Sequence, residues 1–250
     1  AASALGPPLA SHPLSSHHDG GQGTGHRVAY ERRQAVHRNA GCWSRSGPEL
    51  LCYYIQGCVI IVLTEGFTIV CDAGVHPAHT GLTALPFIDN LDWSTVDALL
   101  ITHFHLDHAA ALTYIMEKTN FCDGKGKVYM THPTKAIYRF LMSDFVRISN
   151  AGSDRMLFDE SEMLASWRQI EAVDYHQEVV LGGGFRFTPY HAGHVLGACM
   201  FMIEMAGLRV LYTGDYSREE DRHLVQAEVP PVRPDVLICE STYGTQSLEP

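Results

Sequence analysis

His103, His105, Asp107 and His108 fall within the stretch His103-Phe104-His105-Leu106-Asp107-His108, and each carries a side chain that can ligate a metal. Imidazole nitrogen and carboxylate oxygen suit zinc at about 2.0 to 2.2 Å. In an extended segment, residues two apart point the same way, so His103, His105 and Asp107 can project into one pocket. A turn into a following helix can then bring His108 beside Asp107. Single loop histidines are common and carry no meaning, whereas this pattern after a strand is a metal-binding signal.

The elements that position the stretch are legible around it. Val96 to Thr102 is an apolar run too short for a helix and bounded by polar residues, so it reads as a buried strand. Ala109 to Lys118 has helical composition, which makes the His/Asp cluster a strand-to-helix loop, the kind of place where chemistry sits. Other predicted strands end in the same way. Phe67 to Cys71 ends in Asp72, Phe185 to Tyr190 leads to His191 and His194, Leu208 to Tyr212 to Asp215, and Val236 to Cys239 to Glu240. One such end is weak evidence, but their recurrence favours a shared site, because ligands in sheet proteins gather at strand ends.

Elsewhere, Cys58 to Thr64 and Phe67 to Cys71 are spaced as a tight hairpin around Glu65-Gly66. Helices are predicted at Leu82 to Ile88, Pro133 to Ser149 and Glu160 to Gln169, and strands at Val128 to Thr131 and Met200 to Met205. Pro133 suits a first helical position, where its missing N–H costs nothing. Residues 1 to 50 are rich in Gly, Ser, Pro, His and Ala without apolar period, which predicts a disordered tail. His12, His17, His18 and His26 belong to that tail.

The chain has 250 residues, 46% of them hydrophobic, enough for one sizeable core, and a formal charge of -10. Residues 1 to 50 hold five Lys/Arg and three Asp/Glu, leaving 13 against 25 in the remainder. So acidic a body is a poor general magnet for nucleic acid, whose non-specific binding comes from Lys and Arg. A polyanionic substrate must be attracted locally. The seven cysteines include no C-x-x-C pair and suggest buried free thiols in a reducing compartment. The longest strongly apolar run, Cys58 to Leu63, is far short of a membrane span, and no signal-peptide pattern opens the chain, so a soluble intracellular protein is expected.

Thr102 to His108, with His194 and Asp215, resembles the metallo-β-lactamase fold of binuclear metal hydrolases. The longer strings Tyr190 to Ala198 (YHAGHVLGA), Tyr212 to Leu224 (YTGDYSREEDRHL) and Glu240 to Thr245 (ESTYGT) resemble its nucleic-acid-processing branch, the β-CASP ribonucleases of pre-mRNA 3′-end processing. The resemblance runs from about Gly57 to the end. It implies an α/β fold, the four-layer αβ/βα sandwich, incomplete because the chain stops at the start of the β-CASP region. The divisions would be a tail at 1–50, the metallo-β-lactamase part at 51–239 and the start of the β-CASP region at 240–250.

The resemblance also implies roles. His103, His105 and His194 would hold one Zn2+, Asp107 and His108 a second, and Asp215 would bridge the two. Asp72 would orient the histidine loop from behind the ligands. Glu240 would hold a histidine that protonates the leaving group, and Asp107, Asp215 and Glu240 would be the catalytic set. His191 and His223 read as packing or hydrogen-bonding residues. The implied reaction is attack on an RNA phosphodiester by a hydroxide held between the cations. The implied partners are pre-mRNA and the other subunits of the cleavage and polyadenylation complex, in the nucleus, with no membrane and no DNA.

Two departures from the family accompany the match. Glu49 to Cys58 stands where the family carries a glycine-rich loop, so an altered first strand is expected. The chain also ends at Pro250, before two later histidines of the family, which predicts a weaker second zinc and little nuclease activity in this piece alone. Two other readings compete: a thioester or lactam hydrolase on the same fold, and a non-catalytic scaffold subunit. The first would not be expected to carry YHAGHVLGA or ESTYGT. The second would have lost ligands that are all present here before residue 250.

Overall fold

The structure is a computed structural model that describes residues 66–86, 88–150 and 157–242, with the strand backbones 26–29, 41–43, 50–55 and 58–63. Among these residues two sheets face each other. Strands are numbered along the chain. One sheet has the order β2 (Gly41–Trp43), β3 (Leu50–Ile55), β4 (Cys58–Leu63), β5 (Thr68–Cys71), β6 (Val96–Leu100), β7 (Lys127–Thr131) and β8 (Glu171–Val173). The other has the order β1 (His26–Ala29), β13 (Val236–Cys239), β12 (Leu208–Tyr212), β11 (Cys199–Met205), β10 (Phe185–His191) and β9 (Val179–Gly182).

Side-chain alternation decides which face each strand buries. Along β6, Ala98 and Leu100 point at the facing sheet, while Val96 and Leu99 point at the helices. Ile69, Cys71 and Tyr129 meet Phe187, Phe201, Ile203 and Val210 between the sheets. The opposite face of the first sheet is covered by α2 (Leu112–Lys118), α3 (His132–Asn150) and α4 (Glu160–Gln169), through Leu112, Ile115, Tyr138, Met142 and Met163. α4 starts at a capping box in which Asp159 and Glu162 each satisfy the other's backbone N–H. On the outer face of the second sheet, Tyr190, Met200, Met202 and Leu211 are covered by Val195, Ala227 and Val232. No helix lies on that face among the described residues, so three of the four expected layers are present there as helices, sheet and sheet.

The hairpin expected at Cys58 to Cys71 is present as antiparallel β4 and β5. β3 pairs with β4 in unbroken register from Leu50 to Ile55, so its backbone is a regular strand despite the sequence departure there. Most of the tail expected to be disordered lies outside the described residues. Within 1–50, β1 and β2 are short strands at the far edges of the two sheets. The helix expected at Leu82 to Ile88 is replaced by two 3-10 turns, Gly81–Ala84 and Ile88–Asn90. Pro86 stands between them and lacks the N–H that a continuous helix requires. β8 and β9 are short strands that sequence pattern did not reveal.

The metal loop also differs from expectation. Extended backbone stops at His105, and Leu106–Ala109 is already a helical turn, α1. Asp107 therefore does not continue the alternation of His103 and His105. The helix predicted from Ala109 is broken after α1 because the Ala111 N–H donates to Ala73 O at 2.8 Å, outside the helix.

Candidate metal centre

Five strands deliver their last residues to one edge. β5 and β6 are parallel, with Cys71 opposite Leu100, so Asp72 and Thr102 emerge together. β12 and β13 are parallel, with Tyr212 opposite Ile238, which brings out Asp215 and Glu240 together. β10 ends at His191, and the loop after it carries His194. The Cys199 N–H, donating to Thr102 O at 3.0 Å, ties the two sheets at this edge.

His103, His105, His194 and Asp215 each present a ligand atom, and these atoms all lie within 4.8 Å of one another. His105 Nδ1 is 3.0 Å from His103 Nε2 and 3.2 Å from His194 Nε2. Imidazole nitrogens that meet lone pair to lone pair need a proton or a cation between them. His108 stands beside this group, with Nε2 at 3.4 Å from Asp215 Oδ1 and 3.8 Å from Asp107 Oδ2. The other oxygen of Asp215, Oδ2, is 3.8 Å from His194 Nε2. One carboxylate thus turns one oxygen to each histidine group.

Asp72 lies behind the ligands. Its Oδ1 accepts from the Thr102 N–H at 2.8 Å, and its Oδ2 from His108 Nδ1 at 2.9 Å. Thr102 Oγ1 lies 2.9 Å from Oδ1, and Tyr212 Oη donates to Oδ2 at 2.8 Å. Donation from Nδ1 fixes the tautomer of His108 and aims its Nε2 into the centre. That Nε2 is buried and has no hydrogen-bond partner. An orphaned imidazole nitrogen between two carboxylates, next to three converging imidazoles, fits a divalent cation of the zinc type.

The chain matches the family model "Metallo-beta-lactamase superfamily domain" over residues 61–237. It belongs to the metallo-β-lactamase superfamily. It is 84% identical over 186 residues to Endoribonuclease YSH1 of Mycosarcoma maydis, covering 74% of this chain and 21% of that protein. Endoribonuclease ysh1 of Schizosaccharomyces pombe is 62% identical over 190 residues, 76% of this chain and 25% of its own length. The Saccharomyces cerevisiae Endoribonuclease YSH1 is 57% identical over 198 residues, with the same two coverages, 76% and 25%. The chain thus spans about a fifth to a quarter of the length of these relatives.

The electrostatics of this metallo-β-lactamase centre concentrate positive charge on His108. Burial opposes ionisation of His108, yet the Asp72 and Asp215 carboxylates outweigh it and push its pKa up to about 11. Asp215 is driven the other way: burial would raise it, but His108 close beside it, with His103 and His194, holds it well below the usual carboxylate range. Burial first, then the neighbouring His108, push His103 down to about 2. His105 is lowered by burial and by His194. A proton on His108 and a cation in the centre are therefore competitors.

Glu240 does not reach the histidine group; its Oε1 accepts from the Tyr216 N–H at 3.1 Å, one residue beyond Asp215. His191 packs, its ring stacked on Tyr175 at 3.6 Å. The His223 N–H bonds to Asp221 Oδ1 at 3.0 Å on the exposed surface. Of the tail histidines, His12, His17 and His18 lie outside the described residues. Cys122, Cys199 and Cys239 are free thiols among the described residues. No helix among the described residues is long and apolar enough to cross a membrane.

Sequence reasoning missed Tyr212, Thr102 and Gly74. Tyr212 follows Val210 on the inward face of β12, so period two alone puts its hydroxyl between the sheets. Gly74 leaves no room for a Cβ, which would overlap the Asp107 carbonyl. Asp72 and His194 adopt left-handed backbone, φ 63° and 61°, a conformation that non-glycine residues keep chiefly at functional sites.

Proposed function

We propose that this chain is the metal-binding part of an endoribonuclease that cleaves pre-mRNA at its 3′ end, of the kind represented by cleavage and polyadenylation specificity factor subunit 3. The observation that carries the reading is Asp215, which turns Oδ1 toward His108 and Oδ2 toward His194, at 3.4 and 3.8 Å. His103, His105 and His194 would hold one Zn2+, Asp107 and His108 the other, with Asp215 within reach of both groups. When bound, the two cations supply a water of lowered pKa and offset charge on the scissile phosphate.

The chain's own residues prepare the place for that chemistry. Asp72 keeps the His108 proton on Nδ1, so Nε2 is free to ligate. Asp107 is 41% exposed at its side chain, so a substrate can reach it from solvent. Glu240, whose Oε1 accepts from the Tyr216 N–H, would hold a histidine that protonates the leaving oxygen and leaves a 3′-hydroxyl. The acidic body repels RNA in general, so binding depends on the charge of the centre and on the other subunits of the cleavage and polyadenylation complex, in the nucleus. The name Endoribonuclease YSH1 carried by the relatives, at 57 to 84% identity to this chain, supports the reading; a lactam hydrolase is not favoured by any contact in the centre.

The test is a graft. Residues of this chain replace the 84%-identical stretch of the Mycosarcoma maydis protein, and the product is assayed for zinc content and for cleavage of an RNA oligonucleotide. Two zinc ions per chain and cleavage abolished by Asp215→Ala are expected. A folded graft that holds no stoichiometric zinc would return the scaffold reading, and one that holds zinc but cleaves only non-nucleic esters would sink the nuclease.

A further inference from the structure

The loop that presents His194 is sharply bent. Gly193 and His194 take consecutive left-handed angles, φ 65° and 61°, which persist only where the surroundings fix them. Those surroundings are a second loop, residues 215–228, which leaves Asp215 and returns against the first. The Ser217 N–H donates to Ala192 O at 2.9 Å, and the Ala227 N–H to Ser217 O at 2.7 Å. The two loops are in such close contact that a Cβ on Gly193 would come within 2.6 Å of Ser217 O.

The return is fastened at Glu228. Its backbone N–H donates to His191 O at 3.1 Å. Its Oε1 accepts from the His191 N–H at 2.6 Å and lies 2.7 Å from His176 Nε2. Glu228 therefore satisfies both backbone polar groups of His191, three residues before His194, and ties in the turn at His176, whose own backbone is left-handed at φ 63°. The His191 ring, stacked on Tyr175 at 3.6 Å, holds the other side of the same residue. Glu228 thus joins the loop bearing Asp215 to the end of the strand that leads to His194.

We infer that Glu228 is a positioning residue for the metal centre: by locking the 215–228 loop to the strand end at His191, it sets the separation of His194 and Asp215. It touches no ligand and no reacting atom. The inference rests on His194 and Asp215 being ligands and is independent of the RNA substrate.

The test uses the full chain and Co2+ as the probe, read by its visible absorption and by titration. Glu228→Ala is expected to weaken Co2+ binding about tenfold, the lower end of what outer hydrogen-bond partners contribute, and to change the visible band. Glu228→Gln retains a side-chain oxygen for the His191 N–H and is expected to keep wild-type affinity and spectrum. Glu228→Asp is too short for that contact and is expected to follow Glu228→Ala; it decides the matter if the alanine variant does not fold. Glu204→Ala, which removes ion pairs to Arg186 and Arg209 elsewhere on the same sheet, is expected to lower thermal stability with Co2+ affinity unchanged. Wild-type affinity and spectrum in the alanine or aspartate variant would overturn the inference. A wild-type chain that takes up no Co2+ would overturn it together with the metal-centre reading, a failure distinguishable from the first.

Discussion

Tyr212 Oη and Asp72 Oδ2 are joined by a 2.8 Å hydrogen bond between residues 140 positions apart, on strands of facing sheets. Asp72 is 1% exposed, and a carboxylate so deep must have its oxygens satisfied. Thr102, His108 and Tyr212 do so, and the same contacts hold His108 in register with the metal centre.

Tyr212→Phe removes one donor and leaves the others. A hydrogen bond to an ionised group contributes about 2 kcal/mol, so urea denaturation of the metal-free chain should show a loss of that order. Unchanged stability would mean that Tyr212 packs without bonding.

Asp72→Asn keeps the shape and replaces one acceptor by an N–H2 donor. Facing His108 Nδ1, that amide favours the tautomer with the proton on Nε2, the nitrogen needed for the metal. Zinc affinity at the His108 position should fall roughly 10- to 100-fold by competitive titration. NMR of the ring nitrogens should show the proton moved to Nε2.

Gly74→Ala places a methyl inside the Asp107 carbonyl, where backbone rather than a flexible side chain must move. The adjoining Ala73 N–H bonds His108 O at 2.6 Å, so the shift passes directly into the ligand loop. Overpacking of this kind costs about 3 kcal/mol or more. Calorimetry should show a lower melting temperature, and titration with a divalent cation weaker uptake by the Gly74→Ala chain than by the wild type.

The metal-free chain should be most stable near pH 6.5 as far as these histidines decide it. His103, held down to about 2, stays neutral in the fold while the unfolded chain takes a proton at 6.5, so its contribution is lost as pH falls below 6.5. His108, raised to about 11, contributes fully below 6.5 and loses that contribution as pH rises toward 11. Each limb has a limiting slope of about 1.4 kcal/mol per pH unit for one group. Denaturation across pH should show the alkaline limb flattened in His108→Gln, and an unaltered limb would refute the assignment to His108.

Much of the strand order was legible because period-two alternation is a local property. β6, β10, β12 and β13 fall within about a residue or two of their predicted ends for that reason. The His103 loop was legible for the same cause, since its ligands are near neighbours in sequence. The break in the helix after α1 was not, because it depends on the Ala73–Ala111 contact across the sheet edge. The short strands β8 and β9 were hidden, being too brief to show a period and held by partners far along the chain.

The sequence by itself determined the chemistry available: imidazoles and carboxylates at successive strand ends, and an acidic body that is a poor general magnet for polyanions. Tertiary structure alone decided how they meet. Parallel pairing of β5 with β6 and of β12 with β13 sets the edge, Asp72 chooses the nitrogen that His108 offers, and Glu228 fastens one ligand loop to the other. Those contacts join positions whose separation in sequence carries no signal of nearness, because hydrogen-bond register between distant strands is fixed only when the sheets have packed.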